Sequence, residues 1–138
     1  MKRIAVIIGV GSGLSASLAR LLSREGYSLV LAARNTDKFA HLTKETGATA
    51  VSLDGSDPAS MAQLFEGLDV APEVVVYNPS ARVRGPLAEL DPEQVRTAVE
   101  VTAFGRFLPG KPLQSASWRL SRRMGCAARS CSLAPQQV

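Results

Sequence analysis

The chain has one histidine, two cysteines, two tyrosines and one tryptophan in 138 residues. No apolar stretch approaches the ~20 residues that a membrane helix requires. Each shortage excludes something. His41 falls on a helical pattern with no acid or cysteine at ligand spacing, so it reads as a surface or boundary residue, and one histidine does not make a Ser-His-Asp set. Cys126 and Cys131 have no second cysteine pair or histidine beside them, which argues against a zinc site, and no metal ligand is assigned anywhere. No secretory h-region precedes the first apolar run, and so few thiols suit a reducing compartment; the expectation is a cytoplasmic protein.

Acidic residues are missing from one region only. Residues 1–108 carry eleven Lys and Arg against all twelve Asp and Glu, a net of −1, whereas residues 109–138 carry five Lys and Arg and no acid. The formal charge of +4 therefore belongs to the last thirty residues. Nucleic-acid binding would need that basic stretch interleaved with stacking aromatics, and it offers Trp118 alone. Neither nucleic acid nor membrane is expected as a partner.

What is present is a regular alternation. Residues 3–10, RIAVIIGV, form a β-branched run stopped by glycine, the pattern of a strand buried on both faces. Leu14, Leu18, Leu21 and Leu22 follow at helical spacing, and Gly26 ends that helix. Strands are predicted over 27–34, 48–54 and 72–78, with helices over 35–47 (Phe39 and Leu42 inward), 56–68 (Ser56 or Asp57 as cap, Pro58 in the first turn) and 91–108 (Asp91 and Pro92 likewise). Alternation of this kind builds an α/β fold with a parallel sheet of the Rossmann-type, doubly wound kind, here incomplete at about four strands. From about Pro109 the periodicity stops, leaving 109–138 as an irregular basic tail.

Two places carry chemistry. Gly9-Val10-Gly11-Ser12-Gly13 lies between the first strand and the first helix, where glycines let backbone approach a pyrophosphate and free amides at the helix start attract its charge. A plain tight turn is the competing reading. About twenty residues beyond such a loop an acid would mark NAD; the second strand ends instead in Ala32-Ala33-Arg34-Asn35. The planar fork of Arg34 suits a 2′-phosphate, so NADP(H) is preferred over NAD(H), the alternative being a solvated arginine at a strand end.

These residues resemble the short-chain dehydrogenase/reductase family and its Thr-Gly-x-x-x-Gly-x-Gly loop. The match stands at Gly9 and Gly13; Ile8 replaces the threonine and Ser15 the last glycine. The resemblance implies cofactor contacts at Gly9, Gly11, Ser12, Gly13, Leu14, Arg34, Asp54 and Asn78. It gives Asp54, at the end of the third strand, the adenine amino group, although a helix-capping turn would explain that residue as well. Of the family's Asn-Asn-Ala-Gly segment, Tyr77-Asn78-Pro79-Ser80 keeps Asn78 alone, and Thr102 stands at the catalytic asparagine.

The resemblance covers residues 3–108 and implies an oxidoreductase that moves hydride between NADP(H) and a small carbonyl or alcohol substrate. The family's Tyr-x-x-x-Lys pair and the serine before it are not matched: neither Tyr27 nor Tyr77 has a lysine four residues on. Residues 1–108 are thus expected to be an NADP(H)-binding half-domain that is inactive alone. The alternatives are a non-catalytic nucleotide-binding module and an inert truncation product. Homo-oligomers are usual in the family, through helices this chain does not match.

The genetic code accounts for the tail. Read one base earlier, with serines taken from their four-codon box, Ser130, Cys131 and Ser132 encode only aliphatic residues, Met or Phe, and the allowed choices across residues 128–138 spell GTILFTGATAG. That is a buried strand followed by a small-residue turn, similar to the family's fifth strand. The same shift turns Lys111-Pro112-Leu113-Gln114 into QAAA, a suitable helix continuation. A one-base shift near Pro109 is therefore expected to have replaced the second half of a reductase, leaving the fourth strand as a sheet edge.

Overall fold

A computed structural model describes residues 2–113. The tail beyond residue 113, with Trp118, Cys126 and Cys131, lies outside the described residues, as do the expectations placed on it. Strands β1 (Ile4–Ile8), β2 (Ser28–Ala33), β3 (Thr49–Ser52) and β4 (Val74–Tyr77) form one sheet in the order β3-β2-β1-β4. All three pairings are parallel. This is an incomplete doubly wound sheet, with the reversal of strand order beside β1.

Helices α1 (Leu14–Arg24) and α2 (Ala40–Thr46) cover one face, and α3 (Pro58–Glu66) the other, as right-handed crossovers require. Every residue of β1 is buried because its alternate side chains serve different cores. Ala5 and Ile7 join Leu29, Leu31, Phe39 and Leu42 on the α1 side. Ile4, Val6 and Ile8 join Leu53, Met61, Leu64 and Leu108 on the α3 side. A strand between two cores has no polar face, which is why its sequence shows no alternation.

The polar signals act where the sequence puts them. Asp57 accepts hydrogen bonds from the Ala59 and Ser60 amides ahead of α3, with Pro58 in the first turn. Asp91 accepts from the Glu93 amide ahead of α4 (Pro92–Val99). Gly47 ends α2 at φ 66, a left-handed conformation that suits glycine.

Three features depart from the sequence pattern. In α1 the leucines do not all face inward: Leu22 is buried, but Leu14 is 75% and Leu21 47% exposed. The sheet-facing surface is Ser15, Ala16, Ala19 and Leu22, whose small members let the helix lie close to β1. The helix read over 91–108 is also not uniform, because α4 runs into a π-helical turn at Glu100–Phe104 before α5 (Gly105–Phe107). Nor does helical structure stop at Pro109; a further turn covers 110–113, with the Leu113 amide donating to the Pro109 carbonyl.

Candidate functional site: a glycine-floored cleft

The cleft opens at the C-terminal ends of the strands, where ligands of open α/β sheets bind, and has a volume of about 720 Å3. Its floor is the loop after β1. Gly9 has φ 83, and a Cβ there would stand 2.4 Å from the Pro79 nitrogen and 2.7 Å from the Asn78 carbonyl carbon. The loops after β1 and β4 therefore touch backbone to backbone, which only glycine permits. Gly11 and Gly13 line the cleft and have open space where a Cβ would be, so the loop is bare on the side a ligand would approach.

Ser15 and Asn78 hold this floor together. The Ser15 hydroxyl donates to the Gly9 carbonyl at 3.1 Å, and the Asn78 side-chain amide donates to the Ser15 oxygen at 2.9 Å. The start of α1 has no side-chain cap, unlike α3 and α4, and no acid in its first turn, so its free amides leave positive potential at the loop. The residues present fit a phosphate-bearing cofactor on this ground alone.

Arg34, Asn35 and Lys38 form the wall beyond β2. Asp54 lies opposite and accepts from the amide and hydroxyl of Ser56 at 2.9 and 2.6 Å. These bonds, with a smaller contribution from Arg34, hold its carboxyl below the usual range, so it is charged. Asp54 thus makes the turn ahead of α3 while lining the cleft.

At the other end, the Tyr77 hydroxyl donates to the Val101 carbonyl at 2.6 Å and lies 3.3 Å from the Gly55 carbonyl. Val101 belongs to the π-helical turn, where displaced carbonyls need partners outside the helix. A Cβ on Gly105 would come within 1.9 Å of that hydroxyl, so glycine is what admits it. Burial, and secondarily Asp54, push the Tyr77 pKa up. Thr102, in the same turn, donates to the Ala81 carbonyl and accepts from the Ala81 amide, both at 3.3 Å, tying the turn to the loop after β4.

Of the sequence-predicted residues, Gly9, Gly11, Gly13, Leu14, Arg34, Asp54 and Asn78 line the cleft; Ser12 does not, and Thr102 stands beside it, next to the lining residue Val101. Sequence reasoning missed Lys38, Tyr77 and the bonding role of Ser15. The spacing of Lys38 four residues after Arg34 was the available signal for the first. Ser15 was visible only as a departure from a glycine pattern. Among the described residues no group of three or more His, Cys, Asp or Glu is placed to hold a metal, and no helix is long and apolar enough to cross a membrane.

A parallel sheet with a bare glycine loop at its reversal point defines a nucleotide-binding α/β protein, and the comparison with known proteins narrows this. The family model of short chain dehydrogenases matches residues 3–115, and the chain belongs to that family. It is 34% identical over 121 residues to cis-4-hydroxycyclohexanecarboxylate dehydrogenase of Sinomonas cyclohexanicum, covering 80% of this chain and 47% of the relative. A short-chain dehydrogenase/reductase from Vibrio parahaemolyticus superimposes with TM-score 0.74 at 32% identity, over 81% of this chain and 52% of that one. An alcohol dehydrogenase from Thermococcus sibiricus, complexed with 5-hydroxy-NADP, gives 0.72 at 30% identity, over 86% and 55%. The chain thus spans about half the length of these relatives.

Proposed function

We propose that residues 1–108 are the NADP(H)-binding half of a short-chain oxidoreductase. The observation that carries the reading is the pairing of the uncapped α1 start, beneath Gly11 and Gly13, with the cationic wall of Arg34 and Lys38 at the end of β2. The α1 amides receive the pyrophosphate, and Arg34 forks onto the 2′-phosphate with Lys38 adding charge. Asp54 accepts from the adenine amino group, Gly9, Ser12 and Leu14 shape the loop, and Asn78 keeps the β4 end in register with it.

Bound there, the nicotinamide would supply hydride exchange with a small carbonyl or alcohol. Thr102 occupies the position of the family's catalytic asparagine and, bonded to both polar atoms of the Ala81 backbone, holds the loop beside the nicotinamide end. The chain does not turn over by itself, because no tyrosine in it has a lysine four residues on to act as general acid and base. This reading suits a cytoplasmic protein whose oligomer helices come from the unmatched half.

A thermal melt of the purified chain with excess NADPH, and separately NADH, tests it. The reading requires a cooperative transition raised by both cofactors and more by NADPH. Indifference to both would remove the cofactor site, and an equal rise would remove the phosphate contact.

A further inference from the structure

Tyr77 ends β4 but does not line the cleft. Alternation along the strand turns Val74 and Val76 to the core beneath α1 and α2, and Val75 and Tyr77 to the core beneath α3. The ring is half-buried there, and its hydroxyl stands where backbone from two distant parts of the chain meets.

From one side comes the turn after β3. The Gly55 carbonyl lies 3.3 Å from the hydroxyl, and a Cβ on Gly55 would stand 3.1 Å from it and 3.2 Å from the Pro79 Cγ. From the other side comes the π-helical turn. The Val101 carbonyl accepts at 2.6 Å, and a Cβ on Gly105 would overlap the hydroxyl and lie 2.8 Å from the Gly55 carbonyl oxygen. Both glycines are buried, so small residues at 55 and 105 are what let the two segments close on the phenol. The hydroxyl has one proton for these two carbonyls, and without it two acceptors would face each other across the gap. Among the described residues no other hydrogen bond joins 53–57 to 99–105.

The two segments serve different ends of the cleft. Asp54 and Gly55 line it within electrostatic reach of Arg34. Val101 lines it next to Thr102, which is tied to Ala81 of the loop after β4. We propose that Tyr77 is a positioning residue for the cofactor, whose hydroxyl fixes the separation of the adenine-side turn at Gly55 from the nicotinamide-side turn at Val101 so that a dinucleotide engages both at once. This rests on the cofactor reading above and adds to it a coupling between the two ends. A ligand that fills the adenine end alone steadies the Gly55 turn and, through the phenol, the π-helical turn. Tyr77→Phe keeps the packing of the ring and removes that link.

The test uses the full chain with two probes, NADPH and 2′,5′-ADP, the second of which carries the adenine and the 2′-phosphate but no nicotinamide. In the parent chain 2′,5′-ADP should slow amide hydrogen exchange across 101–105, which it does not reach; in Tyr77→Phe that protection should vanish while protection across 54–56 stays. By titration calorimetry the same substitution should weaken NADPH about tenfold and leave 2′,5′-ADP within about twofold. Gly105→Ala, whose methyl displaces the hydroxyl while suiting a helix, should reproduce the split, and it serves alone should Tyr77→Phe fail to fold. Equal losses for the two probes would make Tyr77 a support of the fold only and overturn the proposal, as would protection of 101–105 that survives in the variants. A parent chain that binds neither probe removes the cofactor site and this proposal with it. One that binds 2′,5′-ADP with exchange across 101–105 unchanged keeps the site and removes the coupling alone.

Discussion

The side-chain amide of Asn78, just past β4, donates to the hydroxyl of Ser15 in α1 at 2.9 Å, and that hydroxyl donates onward to the Gly9 carbonyl. Ser15 is 2% exposed, so the middle of this relay is shielded from water, while Asn78 at its end is exposed. Ser15→Ala removes an acceptor and a donor at once while keeping the helix. The expected loss is about 1–3 kcal/mol of unfolding free energy, read by urea titration, together with a smaller NADPH-induced rise in melting temperature. An unchanged melt with an unchanged NADPH response would show that the relay positions nothing.

Arg34 tests the cofactor preference at a different place. It is exposed at the end of β2, and among the described residues its side chain makes no hydrogen bond or ion pair, so Arg34→Ala should change the melt without ligand little. Losing a charge-assisted bond of about 1.5–3 kcal/mol weakens NADPH roughly ten- to hundredfold. NADH, which has no 2′-phosphate, should be unaffected. Titration of intrinsic or cofactor fluorescence with both nucleotides checks it; a parallel loss for NADH would place Arg34 on the pyrophosphate or the fold instead.

Much of this was legible before any coordinates. β1 and β4 announce themselves as β-branched runs because they lie inside a parallel sheet, and Asp57-Pro58 and Asp91-Pro92 mark their helices because capping is a local interaction. The glycine loop was legible for the same local reason. The orientation of α1 was not, because leucine spacing gives an apolar stripe but not which flank of it meets the sheet; the close approach at Ser15, Ala16 and Ala19 decides that. The π-helical turn at Glu100–Phe104 was equally hidden. It depends on the Tyr77 hydroxyl, 24 positions away, taking the Val101 carbonyl, and no periodicity records a contact of that kind.

That contact predicts an alkaline response. Burial raises the Tyr77 pKa above its ordinary value of 10.0, so the folded chain keeps the phenol neutral at pH values where the unfolded chain has begun to ionise. The stability tied to this group is whole below pH 10 and falls as pH rises from there through the raised value. Tyr77→Phe should cost roughly 0.5–1.5 kcal/mol at neutral pH, for the lost bond to Val101, and should flatten the decline above pH 10. Urea melts of both proteins between pH 8 and 11 check it; identical alkaline slopes would mean that the phenol is already solvated in the folded chain.

The same helix offers a contrast between neighbouring leucines. Leu22 is 9% exposed and sits in the core with Ala19, Leu29 and Phe39, whereas Leu21 is 47% exposed on the flank facing the open side of β4. Leu22→Ala opens a cavity between α1 and the sheet and should cost about 2–5 kcal/mol. Leu21→Gln keeps a helix-forming side chain of similar length at a solvated position and should stay within about 0.5 kcal/mol of the parent. Equilibrium unfolding of the two variants separates these values by several times the error of the method. A large loss at Leu21 would mean that this side chain is held against the rest of the fold rather than solvated.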